Sequence, residues 1–274
     1  GLPDVLAARL QAISLPKGGF SAAARADALA RLTRMGLPGP RDEYWRYTDP
    51  RDFNAPVPAP IAIEQNPPVS PLFGDIDRLR LVFVDGVFDA AASDDPVLEG
   101  AEISILAQVD QGGDHWAAGL YGRLEAAGQM PVPRPFATLN TLAAQDGLLI
   151  RVTGKVARPV HILYRRKGQA TDVHVHNVIR LEPGAEMTLL ETGGIGASGS
   201  ALARVATVAR PSAVARIRTS PRVEHHLSSR RCASSTLTSS GRVRQNRCAA
   251  TWFAFSTTPL RFPRRGGHGL TVTP

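Results

Sequence analysis

The chain has 274 residues, of which 43% are hydrophobic, a share that suits a globular protein with one large domain or two smaller ones. No apolar run is long enough to span a membrane, and charged residues near the N-terminus interrupt any candidate secretory signal. The composition therefore excludes a membrane-spanning or secreted protein as the first hypothesis and predicts a cytoplasmic one.

The formal charge of +8 is unevenly distributed along the chain. Residues 201–274 contain thirteen arginines, no lysine and one acidic residue, Glu224, for a formal charge of +12, which leaves −4 for residues 1–200. The basic character therefore belongs to the tail, whereas the body is mildly acidic. Nucleic-acid binding through the arginine-rich tail is kept as a third hypothesis for the function.

Changes in composition and hydrophobic pattern divide the chain into five segments. Residues 1–54 contain two helical patterns, and residues 55–72 form a proline-rich connector. Residues 73–146 are a mixed α/β segment that contains a predicted hairpin at an Asp-Gly turn. Residues 147–200 contain short β-rich runs that start about a dozen residues apart, a spacing that suits a sandwich, a barrel or a parallel β-helix.

Residues 201–274 lose this pattern of alternating apolar runs and are rich in Arg, Ser and Thr. The preference for arginine over lysine in the body is typical of a G+C-rich gene, and reading such a gene in a wrong frame produces this composition. The hypothesis is that the tail is non-native, through a frameshift, or that it is a disordered basic tail.

The body lacks the residue sets that common catalytic mechanisms require. Both cysteines, Cys232 and Cys248, lie in the tail, so residues 1–200 offer no thiolate nucleophile and no cysteine metal ligand. No nucleophile elbow and no P-loop motif occurs. The sequence therefore predicts no catalytic residue and no cofactor bound by this chain alone.

Two histidines in the segment "DVHVHNVIRLE" are the strongest metal-site candidates. On a strand, His174 and His176 lie on the same face, and Glu182 or Glu186 follows within reach of a metal. The arrangement resembles the first motif of the cupins, but five residues separate His176 from Glu182, which moves that carboxylate off the ligand face. A cupin-like metal-binding enzyme that uses His174 and His176 is therefore the alternative to a non-catalytic protein.

Two further segments, "EYWRYT" and "PFATLNTLAAQDG", contain motifs of a known family. The first has the pattern Glu-x-Trp-Arg-Tyr-Thr, and the second combines an aromatic residue, an amide and a glycine at fixed spacing. The motif positions are Glu43, Trp45, Arg46, Tyr47, Thr48, Phe136, Asn140 and Gly147.

Together these motifs resemble the SufB/SufD family of iron–sulfur cluster assembly proteins, and the cysteine-free body is more similar to the SufD branch. The resemblance implies a helical N-terminal region, a right-handed parallel β-helix core, which is a single-stranded solenoid, and a C-terminal region that is missing or aberrant here. The predicted fold class is therefore mainly β with an α-helical N-terminal region.

The same resemblance implies a function in cluster assembly. Such a subunit is a scaffold that pairs with a SufB-like subunit and recruits a SufC-like ATPase, without catalysis of its own. An iron–sulfur cluster would be held only transiently, in the complex. The expected partners are therefore these two proteins, with no nucleic acid and no membrane.

Overall fold

The computed structural model describes residues 2–39, 42, 45, 50–57, 73–127, 132–165 and 172–194, together with the backbone of residues 201–209, 216–224 and 250–256. The helices are α1 (Leu2–Ala12), α2 (Ala22–Met35), α3 (Arg51–Asn54), α4 (Leu106–Val109), α5 (Arg123–Ala127) and α6 (Pro135–Ala143), with a 3-10 helix at Trp116–Gly119. None of these helices is both long and apolar enough to cross a membrane.

The described strands all lie at or after residue 79. They are β1 (Leu79–Val84), β2 (Val87–Phe88), β3 (Ala101–Ile105), β4 (Leu148–Val152), β5 (Val160–Arg165), β6 (Asp172–Leu181), β7 (Glu186–Gly194), β8 (Ala201–Ala209), β9 (Arg216–Glu224) and β10 (Ala250–Ser256). The last three lie in the arginine-rich part of the chain. Most of the proline-rich connector, residues 58–72, lies outside the described residues.

The hairpin predicted at an Asp-Gly turn is confirmed, and a glycine ends helix α2. Helix α2 ends before Gly36, which has a φ of 71° and donates its N–H to the carbonyl of Leu32 at 2.8 Å. Strands β1 and β2 pair antiparallel across a turn at Asp85 and Gly86, which have φ values of 48° and 87°. Ser21 precedes α2, and its hydroxyl donates to the carboxylate of Asp110 instead of capping the helix.

The strands form two five-stranded mixed sheets. Sheet A has the order β2-β1-β5-β7-β9, and sheet B has the order β10-β8-β6-β4-β3. The pairs β1–β2 and β3–β4 are antiparallel, and the remaining neighbours are parallel. Consecutive strands from β4 to β9 therefore alternate between the sheets.

The predicted fold class, mainly β with a right-handed parallel β-helix core, is wrong. The chain is a mixed α/β protein with two small mixed sheets, and no closed or solenoid sheet is found among the described residues. The spacing of short apolar runs indicates where strands begin but does not specify their partners or directions, so it left a sandwich, a barrel and a parallel β-helix open. The family resemblance selected the β-helix, and that selection is the step that failed. In addition, the helices of residues 106–143 lie between β3 and β4 in the chain and give the fold its α/β character.

The main apolar core lies between the two sheets. Alternate residues of β6, namely Val173, Val175, Ile179 and Leu181, face this core, as the period of two in a strand requires. Strands β1, β5 and β7 supply the opposite side of the same cluster. Full burial of such side chains contributes roughly 1.5–3 kcal/mol each, so this cluster is a major source of stability.

The helices cover the other face of sheet B. Leu149 and Val178 of that sheet pack against Leu106, Leu120 and Tyr121 of the helical segments. A second cluster joins α1, α2 and α6 through buried apolar residues that include Leu6, Leu32 and Leu139. The central strands β4 and β6 of sheet B are therefore covered on both faces.

A buried ion pair ties α2 to the neighbouring helices. The Arg31 guanidinium donates to both carboxylate oxygens of Glu125, at 2.9 and 2.8 Å. Hydroxyl groups of Thr138 and Thr141 donate to the same carboxylate at 2.7 and 3.1 Å. Since Glu125 is buried, these four hydrogen bonds replace the water that its charge would otherwise require.

The first prediction concerns this ion pair. Replacing Glu125 with alanine leaves the largely buried guanidinium of Arg31 without its main partner, and we expect a loss of about 3 kcal/mol in the free energy of unfolding. The matched control is Lys155→Ala, because Lys155 is exposed and its Nζ lies 4.0 Å from Glu186 Oε1. The control should cost less than about 1 kcal/mol. Urea unfolding measures both, and equal losses would contradict the prediction.

Candidate functional site at the junction of helices and sheet B

Motif residues from two distant segments meet next to helix α6. The ring of Trp45 lies 5.2 Å from that of Phe136 in an edge-to-face arrangement, and Phe53 completes the cluster at 5.7 Å from Phe136. Trp45 and Phe136 are both buried. This contact attaches the N-terminal aromatic segment to the first turn of α6. The other members of the first motif, Glu43, Arg46, Tyr47 and Thr48, lie outside the described residues.

The remaining motif residues attach α6 and the following turn to strand β6. The side-chain amide of Asn140 donates to the carbonyl of Val175 at 3.1 Å. Gly147 packs so closely against β6 that a Cβ atom there would lie 2.0 Å from the carbonyl oxygen of His176. Only glycine fits at this position without moving the backbone. Phe136, Asn140 and Gly147 therefore form one structural unit with Trp45.

Asp146, next to this glycine, joins three elements through its side chain. Its carboxylate accepts hydrogen bonds from the backbone N–H groups of Phe88, Ala107 and Gly147, at 2.9, 3.2 and 2.8 Å. Burial raises the pKa of Asp146, although these three hydrogen bonds favour its charged form. The carboxylate therefore connects β2, the start of α4 and the start of β4.

The histidines of β6 lie on one strand face, as the sequence predicts. This face meets the helices, and both side chains are buried. The ring of His176 stacks on the ring of Tyr121 with 4.3 Å between centroids. The Arg25 guanidinium lies over the Tyr121 ring, 5.1 Å from its centroid. Burial, assisted by the charge of Arg25, lowers the pKa of His176 to about 3, so the ring is neutral at pH 7. Burial also raises the pKa of Tyr121 above its usual range.

His174 has a different environment, which includes a carboxylate. Its Nε2 lies 3.1 Å from Oδ1 of Asp172, and the guanidinium of Arg9 donates to both oxygens of Asp172 at 2.6 and 2.8 Å. Burial by itself would raise the pKa of Asp172, but the contacts with His174 and Arg9 outweigh it and hold that pKa well below its usual range. Helix α1 is thus joined to the start of β6.

The structure does not bring the predicted carboxylates to the histidines. Oε1 of Glu182 accepts from Arg151 at 2.9 Å, and its Oε2 accepts from Arg180 at 3.4 Å. Glu186 pairs with exposed Lys155. In the part of the chain that the structure describes, no group of three His, Cys, Asp or Glu side chains is placed to hold a metal ion. The cupin-like arrangement therefore lacks its carboxylate ligand.

Several residues of this junction were not predicted from the sequence. Asp172 had a recognisable signal, because it precedes His174 and His176 at the same interval of two on one strand face. No local sequence signal identifies Arg9 or Arg25, because each forms an ion pair with a carboxylate that is distant in the sequence.

Comparison with known proteins adds no assignment. No protein-family model matches the chain, and no curated protein matches it either. Any functional proposal therefore depends on the residues of the junction and on the motifs themselves.

The second prediction tests the close approach at Gly147. In Gly147→Ala the new methyl group collides with backbone atoms of β6, which cannot yield as a side chain could, and we expect a loss of about 3 kcal/mol in unfolding free energy, the upper end of the usual cost of overpacking. Gly119→Ala is the matched control, because a Cβ there meets nothing within 4 Å. Chemical denaturation of both variants is the measurement. A Gly147→Ala protein as stable as the control would refute the contact.

The third prediction concerns pH. The pKa of His176 is about 3 in the folded chain against an ordinary value of 6.5, so below pH 6.5 the unfolded chain binds a proton that the folded chain does not. Proton binding to the unfolded chain therefore lowers the free energy of unfolding as the pH falls from 6.5 toward 3, and this loss is absent well above pH 6.5. From pH 7 to pH 5 the histidine should cost about 2 kcal/mol of stability.

The measurement is the unfolding free energy at pH 7, 6 and 5 for the unmodified protein and His176→Gln, which removes the titrating group. The variant should lose less stability over this range than the unmodified protein. A residual slope of the same sign is expected from His161, whose pKa burial and nearby arginine charges lower to about 4. Identical pH dependence of the two proteins would contradict the assignment to His176.

Proposed function

We propose that the chain is a non-catalytic scaffold subunit of an iron–sulfur cluster assembly complex, of the type formed by SufB, SufC and SufD. One observation carries the proposal. Four residues through which the sequence resembles that family, Trp45, Phe136, Asn140 and Gly147, converge on the junction between the helices and sheet B. Such convergence is expected of residues that together maintain one structural unit.

The chemistry of the described body is compatible with a role that depends on surfaces. Residues 1–200 contain no cysteine, the usual ligand of iron–sulfur clusters, so a cluster in the complex would depend mainly on ligands from another subunit. In this proposal ATP hydrolysis belongs to the SufC-like partner, and the present chain contributes binding surface and geometry.

The proposal is independent of the overall architecture that the resemblance implied. The described fold differs from that architecture, and fold similarity does not support the proposal. The motif residues and their contacts support it. The junction also suggests how the protein would be disabled, because loss of the aromatic contact would release the N-terminal segment from α6.

The fourth prediction is complex formation. The tagged full-length chain, co-expressed with a SufB-like and a SufC-like protein from the same source, should retain both through affinity purification and size-exclusion chromatography. Trp45→Ala should reduce the recovered complex severalfold, because truncating a buried aromatic residue costs about 3–5 kcal/mol. The matched control, Val97→Ala, changes an exposed apolar residue and should leave recovery unchanged.

The outcome against the proposal is equally specific. If the unmodified chain melts cooperatively on its own and yet retains neither partner, the scaffold assignment is wrong. The purification is repeated with a chain whose reading frame after residue 200 is restored, which separates a failure of the arginine-rich tail from a failure of the assignment itself.

A further inference from the structure

Residues 73–78 form a loop that is folded around the side chain of Arg78, directly before strand β1. The Arg78 guanidinium donates to the backbone carbonyls of Phe73, Gly74 and Ile76, the last two at 3.2 and 3.0 Å. Phe73 has a φ of 65°, in the left-handed region that residues other than glycine rarely adopt. Because this backbone conformation is costly, the loop depends on contacts that hold it in place.

His161 of β5 attaches this loop to sheet A. Nε of Arg78 donates to Nδ1 of His161 at 2.9 Å, and the ring of Phe73 meets the imidazole edge-to-face with 5.4 Å between centroids. Nε2 of His161 lies 2.9 Å from the hydroxyl oxygen of Thr192 on β7. His161 is 1% exposed, so water has little access to either ring nitrogen.

The two polar contacts define the protonation state of His161. A guanidinium only donates hydrogen bonds, so Nδ1 accepts, and the proton of the neutral ring lies on Nε2, which donates to Thr192. A second proton, on Nδ1, would replace the acceptor with a donor and would place a positive ring against the positive charge of Arg78. The contact between the loop and sheet A therefore requires a neutral imidazole.

The charged groups around His161 do not remove this requirement. On β1, Arg80 is the register partner of His161 and pairs with Asp94 at 2.7 Å. In the loop, Asp77 pairs with Arg158 at 2.9 Å. The contact from β7 is an uncharged hydroxyl group. No carboxylate among the described residues pairs with the imidazole to compensate a positive charge on it.

We propose that residues 73–78 are a pH-dependent latch, which is closed while His161 is neutral and is released when the imidazole is protonated. The latch determines where the chain enters sheet A after the proline-rich connector, residues 55–72. Strand β1 stays in place on release, because its backbone pairing with β5 does not involve the loop. The inference goes beyond the scaffold function and does not depend on it.

The size of the effect follows from the pKa of His161. Burial, together with the positive charges of Arg78 and Arg80, lowers this pKa to about 4 in the closed latch. In the open latch the imidazole regains water, and its pKa returns toward the ordinary value of 6.5. Protonation therefore favours the open form as the pH falls below 6.5, and the equilibrium constant for opening should rise about 20-fold from pH 7 to pH 5.

The fifth prediction tests the latch by hydrogen exchange, measured by NMR on the full-length chain. The N–H of Ile76 donates to the carbonyl of Phe73 at 3.2 Å, so its exchange rate, divided by the intrinsic rate at each pH, reports loop opening. His161→Leu removes the acceptor and should raise this ratio about 10-fold or more at pH 7, the usual effect of losing a hydrogen bond from a charged donor. His161→Asn places an acceptor oxygen near the position of Nδ1 and does not titrate, so the latch should stay closed at pH 7 and at pH 5.

Arg158→Ala is the matched control. It removes another arginine that contacts the loop, but only through the carboxylate of Asp77, whose side chain is 84% exposed. An exposed ion pair contributes little, so the ratio should change only about twofold.

A further measurement requires no variant. ¹⁵N spectra of the unmodified protein at pH 7 should show the Nε2–H tautomer of His161, with Nδ1 as a hydrogen-bond acceptor. The Nδ1–H tautomer, an opening ratio that is equal at pH 7 and pH 5, or identical behaviour of His161→Leu and His161→Asn would overturn the proposal.

Discussion

Strand β6 is buried on both faces, and the described fold is arranged around this constraint. One set of alternating side chains forms the core between the sheets, and the other set meets the helices. Burial of a polar side chain on such a strand is costly unless hydrogen bonds replace its contacts with water. Asn177 satisfies this requirement on the core face, because it accepts from the backbone of Leu148 at 2.9 Å and donates to the hydroxyl of Tyr164 at 2.8 Å. That hydroxyl in turn donates to Glu191 at 3.0 Å.

The position of the N-terminal helices relative to sheet B depends on arginines. Helices α1 and α2 supply the arginines, and the remainder of the chain supplies the carboxylates, in the pairs Arg9–Asp172, Arg25–Asp110 and Arg31–Glu125. Ion pairs with little exposure contribute less to net stability than apolar contacts do, but they penalise alternative arrangements because an unpaired buried charge is costly. The apolar cluster of α2 and α6 provides stability, and the arginines select one orientation.

Features that depend on neighbouring residues could be predicted from the sequence. The end of α2 at Gly36 and the hairpin turn at Asp85 and Gly86 follow from backbone preferences that act within a few residues. The common face of His174 and His176 follows from the period of two in a strand. The arrangement of the sheets could not be predicted in this way, because the spacing of strands contains no information about their pairing partners, and the β-helix that the family resemblance implied was wrong.

The amino-acid sequence by itself therefore determined the local elements and the motif residues, because periodicity and turn chemistry act over short stretches of chain. Only the tertiary structure decided which sheet each strand joins, that Gly147 must lie against the backbone of β6, and that Glu182 pairs with arginines instead of joining the histidines. It also decided the contact between Arg9 and Asp172, which are 163 residues apart. Contacts of this kind depend on how helices and sheets pack in three dimensions, and no local pattern in the chain encodes them.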